Sequence, residues 1–431
     1  MVRWIAVAAA LAVGPAGGAR PQQQDKQEIR VGNLVDRSGP TAAEGRIAGQ
    51  GKLDAIAYVN KTGGINGKQL RVDTVDFGYE PERAMTQYRR WRQEGVQAIL
   101  GYGTEDTEAL APLSREDKML LFSLAAPAQL ADPQGKGPRG SRPAPYVFFA
   151  TPTYSDGVRA LLLWAMEDWR RKGGKGRPRF VHMGADHPFP NAPRAAGEAY
   201  ARELGFDVLP AIRVPMANAG AAGLDGQCLT LRIGEVSYAF LANPSTANVA
   251  LMRACREAGA TAQFLVNAWG LHEIAMKAAG RAADGAVTIG ATAPWGSEVP
   301  GMKVLQEVAR NSDPSGKEYR PLPYARAACG VFYMAEAMKW ADQNGGLSED
   351  NIRKGMYQRK GWVPYGLDGV CGPASWSDSD HRAVTQFQLL RAAIKGPTGE
   401  GEVGELMRNG TMAWKPVYSA DIPRRPDWLG W

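Results

Sequence analysis

The chain has 431 residues, 44% of them hydrophobic and 22% charged, with a formal charge of +7. That length exceeds one ordinary core and suits two lobes, and the composition excludes a disordered chain. The densest basic run, Arg170, Arg171, Lys172, Lys175, Arg177 and Arg179, lacks interleaved aromatics. It reads as a solvated loop, and a nucleic-acid partner is not expected.

The first residues have the order of a signal peptide. Met1-Val2-Arg3 is a short basic start, Trp4 to Val13 an apolar run, and Gly17-Gly18-Ala19 a set of small residues for cleavage. The apolar run is too short for a bilayer, which needs about 20 residues. No Cys follows it to carry a lipid anchor. Residues 1–19 are therefore expected to be removed, leaving an exported, periplasmic chain.

Strands and helices then alternate. Glu28–Val35, Gln69–Asp76, Ala98–Gly101 and Leu120–Ser123 read as strands, separated by helices over Glu44–Asn60, Glu82–Glu94 and Glu105–Glu116. Ala84, Tyr88 and Trp91 share one face of the second helix. Four such units in a row imply a parallel sheet covered on both faces. A Gly/Pro/basic stretch, Asp132 to Pro145, interrupts the pattern.

A second series follows. The helix Tyr154–Arg170 carries Val158, Leu161, Leu162, Ala165 and Trp169 on one stripe. Strands are expected at Arg179–Met183, Phe206–Val214, Tyr238–Leu241, Gln263–Asn267 and Ala286–Ala291. The helix Tyr324–Trp340 has a core-facing stripe from Ala327 to Met338. Residues 398–431, rich in Gly, Pro and Trp, are expected to wrap the surface.

Motifs of common enzymes are incomplete. Gly101-Tyr102-Gly103 follows a strand, but Asp106 stands where a dinucleotide fingerprint needs its third Gly. His272-Glu273 opens a metalloprotease pattern that Met276 breaks, and no phosphate loop or nucleophile elbow occurs. His182, His187 and His381 stand alone and read as surface or satisfied core residues. Neither an enzyme, a metal nor a cofactor is expected.

Several segments together resemble the branched-chain amino-acid-binding family of periplasmic receptors, the ligand-capturing subunits of ABC importers. They are Glu28-Ile29-Arg30-Val31-Gly32 leading to Ser38-Gly39-Pro40; Asn60-Lys61-Thr62-Gly63-Gly64-Ile65-Asn66-Gly67-Lys68; Asp313-Pro314-Ser315-Gly316 ahead of Tyr319 and Tyr324; and Gly372-Pro373 ahead of Trp376. The resemblance implies an α/β fold of two doubly wound parallel-sheet lobes joined by a three-stranded hinge. Residues 26–145 and about 298–372 would form the first lobe, and 146–297 and about 373–397 the second. A small-molecule ligand would lie between the lobes, with the permease subunits of an ABC importer as partner and the receptor itself a monomer. An alternative is a ligand sensor of the same fold that signals to a partner protein.

Parallel sheets bind ligands beyond the carboxyl ends of their strands. Those ends place the candidates at Tyr79, Tyr102, Thr104, Glu105, Ala125, Ala126, Phe189, Asn243, Ser245, Trp269 and Trp295. Thr104 and Ala125-Ala126 match only in part the family's segments that hold a ligand carboxylate. The acid that would face a ligand ammonium is replaced by Ala268, beside Trp269. A buried ammonium without a counter-ion is costly, so the expected ligand is partly apolar or aromatic, unless Glu44 or Glu105 relocates the ammonium site.

Cys228, Cys255, Cys329 and Cys371 form no CxxC, and four cysteines in an exported chain suggest two disulfides in one of three connectivities. Local pairing, 228 with 255 and 329 with 371, closes the shorter loops.

Overall fold

Among the described residues eleven strands pair in parallel, as alternating strands and helices imply, and two more turn the far edge of the second sheet antiparallel. The protein was analysed as a computed structural model that describes Met1, Val2 and residues 28–431 apart from 140 and 217–220. The expected signal peptide lies outside the described residues but for its first two. Among the described residues, no helix is long and apolar enough to cross a membrane.

The first sheet contains β1 (Glu28–Val35), β2 (Gln69–Asp76), β3 (Ala98–Leu100), β4 (Leu120–Ser123) and β5 (Val147–Phe149). Their order is β2-β1-β3-β4-β5, and every pairing is parallel. Three helices connect them: α1 (Ala42–Lys61), α2 (Pro81–Gln93) and α3 (Thr104–Asp117). Trp91 of α2 lies against Gly32 of β1, whereas Gly49 of α1 meets Val35 on the opposite face. The sheet is thus covered on both sides. β5 was not foreseen, and it carries the first sheet past the expected boundary at 145; three residues after a Gly/Pro loop are too few to show periodicity.

The Gly-Gly turn behaves as its composition requires. Gly63 and Gly64 take φ of +110° and +65°, and a Cβ on Gly64 would collide with the Lys68 carbonyl. The Asn60 side chain closes the turn by donating to the Leu70 carbonyl at 2.8 Å and accepting the Leu70 N–H at 2.8 Å.

After α4 (Tyr154–Arg171) the second sheet begins with β6 (Arg179–Gly184). The helices α5 (Pro188–Asn191) and α6 (Arg194–Leu204) lead to β7 (Asp207–Val208) and β8 (Ile212–Arg213). Phe206–Val214 is therefore two short strands, because Pro210 between them can donate nothing to a ladder. Then come α7 (Asp225–Ile233), β9 (Tyr238–Leu241), α8 (Ser245–Glu257), β10 (Gln263–Val266), α9 (Glu273–Ala279) and β11 (Val287–Gly290). The order is β13-β12-β11-β10-β9-β6-β7, with β8 also on β6.

Helices α10 (Met302–Ala309), α11 (Leu322–Gln343) and α12 (Glu349–Met356) return to the first lobe, α10 and α11 packing on α1. β12 (Gln386–Ile394) then re-enters the second sheet antiparallel to β11. The chain thus crosses between lobes three times. Residues 398–431 do more than wrap the surface: after α13 (Val403–Arg408), β13 (Met412–Asp421) pairs antiparallel with β12 as the sheet's edge.

Both local disulfides are present. Cys228 on α7 and Cys255 on α8 lie on the same face of the sheet, with Cα atoms 4.7 Å apart. Cys329 of α11 bonds Cys371, Cα atoms 5.7 Å apart, and Cys371 also bridges Thr292 on the second crossover. The basic run is only partly a loop: Arg170 and Arg171 end α4 and Arg179 begins β6, and Arg171 and Lys172 pair with buried Asp168.

Candidate ligand cleft

Between the lobes lies a small cavity of about 30 Å³. Thr41, Glu44, Tyr79, Tyr102 and Gly103 line it from the first lobe, and Tyr154, Phe189, Pro244 and Trp269 from the second. Its walls are the loops after β2, β3, β6, β9 and β10 and the starts of α1 and α4, so it sits at the carboxyl ends of both sheets.

Tyr79 is the most constrained lining residue. Its φ is +63°, a left-handed conformation that costs a non-glycine residue free energy. Its ring lies over Gly103, where any Cβ would overlap it, and packs edge-on to Tyr102 with centroids 6.1 Å apart. Burial raises the Tyr79 hydroxyl well above its ordinary pKa, opposed by the Thr104 backbone N–H directed at it. Tyr102 donates its hydroxyl proton to the Thr41 carbonyl at 3.0 Å, and burial with Glu44 nearby raises its pKa also. Phe189 meets Tyr154 edge-on at 5.4 Å. Behind Trp269 the Arg326 guanidinium, 5.4 Å from the ring, donates to the Ala268 and Ile289 carbonyls.

The other expected residues frame the cavity without lining it. Thr104 donates its hydroxyl to Tyr154 Oη at 3.2 Å. Glu105 Oε2 stands 3.1 Å from His187 Nε2 of the second lobe, and His187 stacks on Tyr79. The Ala126 carbonyl accepts the Tyr154 N–H at 2.9 Å, and Ala125 donates its N–H to Ser123 Oγ at 3.1 Å. Asn243 ties three loops, accepting from Ala185 N–H at 2.8 Å and donating to the Val214 and Pro215 carbonyls. Trp295 lies elsewhere: it packs edge-on to Tyr324 at the second crossover, 6.2 Å between centroids, because the chain turns away after β11.

Glu44 was noted only as a spare charge, yet it joins the lobes. Its Oε1 accepts the Ser245 N–H at the start of α8 at 2.9 Å, and lies 3.8 Å from His272 Nε2. Glu44 is 2% exposed, and its Oε2 has no hydrogen-bond partner. Thr41 and Tyr154 escape the strand-end rule because it does not reach helix starts and caps, whereas Pro244 lies in the loop after β9 between the expected Asn243 and Ser245. The signal for Glu44 was its place in the first turn of the first helix.

The sequence profile described as "Periplasmic binding protein" matches residues 28–398. The chain belongs to the periplasmic binding protein family. Two solved structures share the fold over nearly its whole length. The ABC transporter substrate-binding protein of Aeropyrum pernix superposes with a TM-score of 0.77 at 22% identity, over 94% of this chain and 98% of that one. A branched-chain amino-acid ABC transporter protein from Thermus thermophilus with bound valine gives 0.77 at 16%, over 93% and 97%. The Leu/Ile/Val-binding protein of Escherichia coli K12 is 25% identical over 103 residues, 24% of this chain. That stretch spans only 28% of the relative's own length.

Proposed function

We propose that this periplasmic binding protein is an extracytoplasmic receptor. Its lobes close over one small, partly apolar or aromatic solute, which it delivers unchanged to the permease of an ABC importer. The observation that carries this reading is the cavity itself, enclosed from both lobes by Tyr79, Tyr102, Tyr154, Phe189 and Trp269. Three crossovers allow the lobes to move as rigid bodies about a hinge, and two interlobe contacts, Glu44 with Ser245 and Glu105 with His187, are made at closure.

Mass spectrometry of small molecules released on denaturing freshly purified protein identifies the ligand, and solution scattering with that ligand reads closure. The expectation is one molecule per chain and a smaller radius of gyration. Turnover of the ligand, or no compaction at saturation, would defeat the proposal.

A further inference from the structure

The cleft holds a carboxylate oxygen that the protein leaves unanswered. Glu44 Oε2 is buried without a partner in a cavity walled by five aromatic rings. An unpaired buried charge is costly unless a partner arrives. Aromatic faces carry negative charge and attract cations, most strongly where water is excluded. None of the nine lining residues is Lys or Arg. The Arg326 guanidinium lies against the Trp269 ring and is held by two backbone carbonyls. His272 is the basic group that faces Glu44, and it stands at Oε1, the oxygen already bonded to Ser245.

Donors for an anion are spent. The start of α3 faces the cavity, but Asp106 takes the Gly103 N–H at 2.8 Å, and the Thr104 N–H is directed at the Tyr79 hydroxyl. The start of α8 is closed by Glu44 itself. A ligand carboxylate entering this cavity would meet the like charge of Glu44 and no lysine or arginine side chain.

Resting on the receptor reading above, we infer that the ligand is a small organic cation without a carboxylate. It is an amine or quaternary ammonium on an apolar or aromatic body, its charge on Glu44 Oε2 and its body between Tyr79, Phe189 and Trp269. An amino acid zwitterion is disfavoured because its carboxylate would meet Glu44 and no cationic side chain.

The test titrates the full mature chain, freed of ligand, with phenethylamine, tetramethylammonium, 2-phenylethanol, phenylalanine and 3-phenylpropionate, read by calorimetry and tryptophan fluorescence. Phenethylamine should bind about 30-fold or more tightly than the alcohol of the same shape, the scale of losing one partner of a buried charge pair. Phenylalanine and phenylpropionate should bind more weakly than either. Glu44→Gln keeps an acceptor for Ser245 and should erase the preference for amine over alcohol. Should that variant not fold, the wild-type comparison still decides. Phenylalanine or the alcohol binding as tightly as phenethylamine overturns the inference, as does binding of none of the five. Compaction with the copurified ligand leaves the receptor reading standing in any of those cases; its absence sinks that reading separately.

Discussion

Lowering the pH from 6.5 to about 4 should remove stability through His381. The side chain is fully buried beside the third crossover. Its Nδ1 lies 2.8 Å from the Val147 carbonyl and its Nε2 2.8 Å from the Tyr357 hydroxyl. A carbonyl only accepts, so Nδ1 carries the proton and Nε2 accepts from Tyr357: the neutral ring satisfies both contacts. The ring also stacks on Phe148 with centroids 4.5 Å apart. Burial pushes its pKa down from the ordinary 6.5 to about 4. The unfolded chain binds the proton near 6.5, and the native state refuses it until about 4. Stability is therefore full above pH 6.5, falls as the pH drops to about 4, and is lost no further below that. The difference corresponds to on the order of 3 kcal/mol for this one group. His182, also buried and pushed down to about 3, adds in the same direction, so the measurement is a comparison. His381→Gln keeps a donor and an acceptor without titrating. Urea unfolding at pH 8, 6.5, 5 and 4 should show the wild type losing more free energy than the variant. Parallel curves would refute the assignment of a buried neutral imidazole.

Other outcomes follow from the cleft and the disulfides. Replacing Tyr79, Phe189 or Trp269 by Ala should weaken ligand binding by roughly 1–3 kcal/mol, the scale of apolar area lost, without unfolding; unfolding instead would assign the ring to the core. A hundredfold excess of ligand over its dissociation constant should add about 2.7 kcal/mol to the unfolding free energy, read as a rise in melting temperature. Breaking Cys329–Cys371 by double substitution to Ala should cost about 4 kcal/mol for its separation of 42 residues. A loss under about 1 kcal/mol in non-reducing urea titrations would contradict that chain-entropy estimate.

The strands β4 and β9 are buried along their whole length and read as short apolar runs, as strands covered by helices on both faces do. What escaped was either too short to be periodic, as at Val147–Phe149, or joined across a proline, as at Pro210. β12 and β13 escaped for another reason. Their pairing is between segments that local pattern does not connect, and the Gly-rich turn before β13 resembles surface loop. In the cleft, Tyr79, Tyr102, Phe189 and Trp269 were legible from the strand-end rule alone. Ala125, Ala126, Asn243 and Ser245 do different work: their backbone groups and amide hold the walls in place. Glu44 acquires its importance only when α8 arrives from the other lobe, a meeting across 201 residues.

Gly103 sits at an ordinary extended backbone angle, φ −98°, so alanine there meets no backbone objection. Its obstacles are the Tyr79 ring and the Asp106 carboxylate, whose Oδ1 would stand 2.6 Å from the new carbon. A single added methyl group would crowd both that ring and the carboxylate that holds the Gly103 N–H. A lineage of such receptors can therefore reshape this wall of the cleft with one codon change, without rebuilding a lobe.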